Sequence, residues 1–146
     1  MQFFGLGGMT AERYDVTLME QLKSYKPHYV FLNISGNDIR HDSSPKEISR
    51  WTKEVIDDIR KCGVRKIFFV VIIERGKFRD RNLTKKSFNA QRSKVNKLVS
   101  KMDGVGFVPV KFNFPKEYLK DKVHLNEAGY YKFVMRLRHV MTSLHL

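Results

Sequence analysis

Cysteine is all but missing from this chain: Cys62 stands alone. One thiol excludes an internal disulfide. Its place on the apolar side of a predicted helix reads as a packed thiol rather than a reactive one, and the lack of disulfides favours an intracellular, cytoplasmic setting. Long apolar runs are missing too. No segment approaches the ~20 apolar residues of a membrane span, so no transmembrane segment is expected. The start, MQFFGLGGMT, has neither the basic residues nor the apolar run of a signal peptide and reads as the middle of a domain. Acidic residues are few, 15 Asp+Glu against 28 Lys+Arg. No His/Cys cluster has metal-ligand spacing. The Gly5–Gly8 turn lacks both the third glycine of a dinucleotide fingerprint, where Thr10 stands, and the lysine of a P-loop. No cofactor or metal is expected.

What is present argues for a folded globule. The 146 residues suffice for a single domain, 1–146, with a real core. An apolar fraction of 42% with 11 Phe, 6 Tyr and 1 Trp is far from the composition of a disordered tail. The net charge of +13 admits two readings: a nucleic acid or anionic surface as partner, or a generally basic exterior with no dedicated partner. The densest basic run holds Arg75, Lys77, Arg79 and Arg81, and Phe78 among them either stacks on a nucleobase or tucks into the protein.

Strands and helices alternate. Gln2–Phe4 reads as the end of a strand. Thr10 can cap a helix reaching Tyr25 with Val16, Met19 and Leu22 inward. His28–Ile34 has the look of a buried strand. Ser44-Pro45-Lys46-Glu47 is a strong helix start, and Ile48, Trp51, Val55, Ile59 and Cys62 follow at helical spacing until Gly63. Lys66–Ile73 is the most apolar run, a central parallel strand. A helix from about Thr84 to Met102 presents Phe88, Val95, Leu98, Val99 and Met102. Val105–Val110 is the next strand. Asn126 caps a last helix with Tyr130, Phe133, Val134, Leu137, Met141 and Leu144 inward. This alternation is the pattern of a parallel sheet covered by helices on both faces, an α/β fold in three α/β/α layers.

In such sheets ligands sit beyond the carboxyl ends of the strands, and three loops there carry chemistry. Asp121-Lys122-Val123-His124 places an acid three residues before a histidine. One imidazole nitrogen is held and the other left free to take a proton, the base half of a hydrolase. His28, His41, His139 and His145 have no acid at comparable loop spacing. Asn37, directly after a strand, offers a side-chain N–H₂ to the same crevice, with Asp38 beside it reading as the residue that holds the turn. The Gly5–Gly8 turn offers backbone N–H groups as oxyanion donors, or is simply a turn needing positive φ.

Taken together, Gly8-Met9-Thr10, Ser35-Gly36-Asn37-Asp38 and Asp121–His124, with HLNEAGYYKF leading into the last helix, resemble the SGNH (GDSL-like) hydrolases over essentially the whole chain. More narrowly the chain is similar to SGNH-type domains of animal genomes, some associated with retrotransposons. The resemblance implies a flavodoxin-like sheet of order 2-1-3-4-5. It implies His124 as base, Asp121 as its orienting acid, and Asn37 and the Gly8 N–H as the oxyanion hole. It implies small esters as substrates. Two departures stand out. Ser35 replaces the glycine of the family's G-x-N-D block, and the serine block has no counterpart. None of the nine serines follows Gly-Asp or an equivalent turn. The missing block would also hold the first, central strand, so the chain is expected to be truncated or partial and to fold poorly alone. Two functions follow as expectations: an SGNH-type ester hydrolase domain, inactive as this chain for want of a nucleophile, or a basic binding module for nucleic acid or anionic lipid.

Overall fold

The computed structural model describes residues 9–144. The expected Gln2–Phe4 strand, Gly8 and His145 lie outside them. Three strands form one parallel sheet: β1 (Tyr29–Leu32), β2 (Lys66–Val70) and β3 (Val105–Val108), in the order β1-β2-β3. Tyr29 pairs with Lys66, and Ile67 with Val105. Four helices connect and cover them: α1 (Thr17–Tyr25), α2 (Pro45–Lys61), α3 (Lys85–Ser100) and α4 (Glu127–Ser143). This is an α/β fold with the three strands adjacent in chain order.

The helix starts follow from local chemistry. Ser44, Thr84 and Asn126 each accept the N–H three residues on, from Glu47, Ser87 and Gly129, which satisfies amides that a first helical turn leaves without partners. Pro45 fits the first position because its missing N–H is not needed there. At the other end of α2, Gly63 takes a φ of +86°, a conformation costly to side-chain-bearing residues.

The two faces of the sheet are covered unequally. On one, Ile48, Val55, Ile56 and Ile59 of α2 meet Phe88, Val95 and Val99 of α3 over Ile67 and Phe69. Fully buried side chains of this size contribute ~1.5–3 kcal/mol each. On the other, α4 alone among the described helices covers Phe68, Val70 and Val108, chiefly through Leu137, with Phe31 stacked on Phe68 at 5.1 Å. Gly106 lies directly beneath the Phe68 ring, where a Cβ would collide with it.

Several elements differ from the sequence expectation. The first helix begins at Thr17, not Thr10. Thr10 Oγ1 instead accepts the Arg13 N–H, and the Ala11 and Glu12 N–H groups donate to the Asp38 carboxylate at 2.8 and 3.1 Å, pulling this stretch out of any helix. Val16 is consequently 69% exposed rather than inward. β1 is half-buried, not buried, because it has a strand on one side only among the described residues. β2 stops at Val70: beyond it Asn96 takes both backbone groups of Ile72, accepting its N–H at 2.8 Å and donating to its C=O at 3.1 Å. β3 ends at Val108, before Pro109. Leu98 and Tyr130 are exposed rather than inward, Tyr130 at the edge of a cleft.

Candidate functional site

A cleft of about 1100 Å³ opens beyond the carboxyl ends of β1 and β2. It is lined by the segments after both strands and by the loop before α4, so Asn37, Arg75, Asp121 and His124 face the same space.

The loop before α4 is organised by Asp121. Its Oδ1 accepts the N–H groups of Val123 and His124 at 2.9 and 3.0 Å, and its Oδ2 meets His124 Nδ1 at 2.5 Å. These contacts, the imidazole first, hold the Asp121 carboxyl down to a pKa of about 2. The ring is thereby oriented through Nδ1, and Nε2 has no protein partner among the described residues. The His124 side chain is 74% exposed, so Nε2 is reachable from the cleft. The loop docks on the body through the Leu119 N–H to the His124 carbonyl and the Asn126 N–H to the Glu117 carbonyl.

The loop after β1 turns sharply. Ser35 takes a φ of +85°, the region a glycine would occupy without strain. Its hydroxyl is buried and shares a 2.6 Å hydrogen bond with Thr52 Oγ1 on α2. Ser35 lines the cleft wall, but its Oγ is spent on Thr52 and is not at His124. A short 3₁₀ turn, Gly36–Asp38, follows. Asp38 points inward, buried, to hold Ala11 and Glu12; it fixes the segment carrying Met9 rather than only its own turn. Burial raises the Asp38 pKa, against the lowering by those two N–H groups.

Asn37 stays exposed at the cleft. Its Nδ2 donates to the Met9 carbonyl at 3.0 Å, and Arg75 Nη1 donates to its Oδ1 at 3.1 Å. A guanidinium cannot accept a hydrogen bond, so Oδ1 faces Arg75 and the N–H₂ faces the Met9 side. One N–H of that group has no acceptor among the described residues.

Arg75 was legible only as part of a basic run. It lies across Gly36, where a Cβ would stand 2.6 Å from Nη2, and over the Phe88 ring at 5.3 Å. Its neighbours in sequence are tied to the other loop. The Glu74 carbonyl accepts the Tyr118 hydroxyl at 2.6 Å, and the Gly76 N–H donates to the Lys122 carbonyl at 2.7 Å. Lys77, Arg79 and Arg81 remain exposed. Phe78 is tucked in against Phe88 at 5.1 Å, not presented for stacking.

A second histidine–carboxylate pair escaped the sequence reading because its partners are far apart. His41 Nδ1 meets Asp80 Oδ2 at 2.7 Å, and the His41 N–H donates to the same oxygen. Asp80 is held down to about 2, chiefly by the His41 backbone N–H, and the His41 imidazole is raised by Asp80. This pair ties two loops at the rim. Among the described residues no three His, Cys, Asp or Glu side chains converge as a metal site. No described helix is long and apolar enough to cross a membrane.

The fold is that of solved hydrolases. A GDSL-like lipase from Bacteroides thetaiotaomicron VPI-5482 superposes with a TM-score of 0.76 at 15% identity, covering 97% of this chain and 75% of that one. An acetyl xylan esterase gives 0.66 at 20% identity, over 94% and 78%. An alpha/beta hydrolase enzyme from the metagenome of Lake Arreo, Spain, gives 0.61 at 17%, over 89% and 66%. No curated protein sequence matches the chain. Residues 1–132 match the GDSL-like Lipase/Acylhydrolase family, and the chain belongs to that family.

Proposed function

We propose that this cleft is the base and oxyanion side of a carboxylic ester hydrolase, within a single domain spanning 1–146. His124 Nε2 takes the proton of an attacking hydroxyl, and Asp121 keeps the ring in the correct tautomer and stabilises its cation. One Asn37 N–H and the Gly8 N–H receive the negative charge that develops on the ester carbonyl oxygen, each donor worth ~3–4 kcal/mol of barrier. The observation that carries the reading is the Asp121–His124 contact at 2.5 Å, with the opposite ring nitrogen free in the cleft that also holds Asn37.

Among the described residues no serine hydroxyl stands free at His124. Ser35 is the only serine on the cleft wall among the described residues, and it is bonded to Thr52. The 146-residue chain alone is therefore expected to hydrolyse p-nitrophenyl acetate no faster than its His124→Ala variant. A rate that vanishes in that variant would show His124 already at work, on a hydroxyl of this chain or as the nucleophile itself. The site itself is tested by extending the chain at its N-terminus with a strand ending in Gly-Asp-Ser. Turnover should appear, fall by ~10²–10³ with Asn37→Ala, and be lost with His124→Ala. Turnover indifferent to His124 would sink the assignment.

A further inference from the structure

The cleft wall is cationic in a way the ester reading leaves unused. Arg40, Arg75, Lys77 and Arg79 line it, against two carboxylates, Asp80 and Asp121, each already taken by a histidine. Arg75 is the unusual member. It is packed between Gly36 and the Phe88 ring and has no carboxylate within ion-pair distance among the described residues. Of the five N–H groups of its fork, only one finds an acceptor among the described residues, Asn37 Oδ1. The others are not sealed in: Glu117 Oε2 is the one fully buried, unpartnered side-chain N or O among the described residues. Burial disfavours the Arg75 cation; Tyr118 opposes this and the charge of Arg79 adds to it less strongly. A half-buried guanidinium whose open N–H groups face solvent and meet no carboxylate among the described residues is a ready site for an anion.

We propose that Arg75 binds an anionic group of the ligand beside Asn37, so that the cleft takes esters carrying a negative charge, a carboxylate or phosphate, close to the reacting carbonyl. Its placement suits that task. Arg75 touches the oxyanion donor Asn37, so an anion on its open N–H groups lies within one residue's reach of the ester. Lys77 and Arg79 at the rim draw the charge in, and Arg75 fixes its position by directed hydrogen bonds. That the anion belongs to a substrate rests on the hydrolase reading; the anion site does not.

The test is therefore a binding measurement. The ¹⁵N-labelled chain is titrated with monomethyl succinate, methyl phosphate and the neutral dimethyl succinate, following the Arg75 Nε–H and Asn37 side-chain amide signals by NMR. At least one of the two anions should bind about tenfold or more tightly than the diester, the worth of one charge-assisted bond, and shift both signals. The tighter of the two anions tells carboxylate from phosphate. Arg75→Gln should abolish the advantage, Arg75→Lys should keep part of it, and Lys77→Ala with Arg79→Ala should reduce it less than Arg75→Gln. If Arg75→Gln does not fold, the wild-type affinity ratio and the Arg75 Nε shift decide the matter. Equal affinity for the diester and both anions, or an advantage that survives Arg75→Gln, would overturn the proposal. Anion binding without turnover in the serine-extended chain would overturn the hydrolase reading and leave the anion site standing.

Discussion

At Asp121 a single carboxylate performs two tasks: it closes its loop through two backbone N–H groups and grips the His124 ring. Its pKa of about 2 gives the pH dependence. The folded value lies below the ordinary 3.8, so the stability it confers is complete above the ordinary value and is lost as pH falls through about 2. His124→Ala should return the Asp121 carboxyl toward 3.8, read by ¹³C-detected titration; an unmoved value would mean that the two N–H groups alone hold it down. His41 has the opposite sign. Its raised pKa means that the Asp80 contact helps below the ordinary 6.5 and is lost as pH rises through the folded value. Asp80→Asn should bring the His41 titration down. At Ser35 backbone strain opposes a buried hydroxyl pair. Ser35→Ala keeps the strain and discards the bond, whereas Ser35→Gly discards both. The glycine variant should be the more stable of the two by about 1 kcal/mol in urea unfolding, and equal midpoints would refute the strain at φ +85°.

Among the elements, the helices were the readable part. Ser44, Thr84 and Asn126 mark true starts because a cap needs only residues three positions apart. They should not be equal. Ser44 accepts a long 3.4 Å bond at the surface, whereas Asn126 also donates to the Lys116 and Tyr118 carbonyls. Asn126→Ala should cost ~2 kcal/mol and Ser44→Ala ~0.5–1 kcal/mol, compared by denaturant midpoints. What escaped the sequence was decided at a distance. Helix α1 starts late because Asp38, 27 positions away, holds the Ala11 amide. β2 ends early because Asn96, 24 positions away, satisfies Ile72. Asn96→Leu leaves the Ile72 N–H unpaired in the interior and should cost ~1–3 kcal/mol. The site shows the same division. Asp121 and His124 were legible as a local pair and Asn37 as a turn residue. The link from Arg75 to Asn37 spans 38 positions and, in a loop rich in Lys and Arg, gave no signal of its own. The one hint was Gly36, which leaves the guanidinium room to lie flat.

Over the whole molecule the two faces of the sheet differ in how they tolerate change. The face under α2 and α3 has many fully buried side chains, while the α4 face depends on Leu137 and the Phe68 ring seated on Gly106. Gly106→Ala pushes against an aromatic ring that has a strand neighbour, Phe31, behind it. It should destabilise by ~1–3 kcal/mol, seen as a lowered Tm.

Glu74, Arg75 and Gly76 are consecutive, and they bind in turn Tyr118, Asn37 and the Lys122 carbonyl. The gap between the Asn37 amide and the His124 ring is therefore gauged by a tripeptide of fixed length. A one-residue insertion there would throw both settings out together, like lengthening the shaft between two gears. Random insertions across the exposed loops should be least tolerated at this spot.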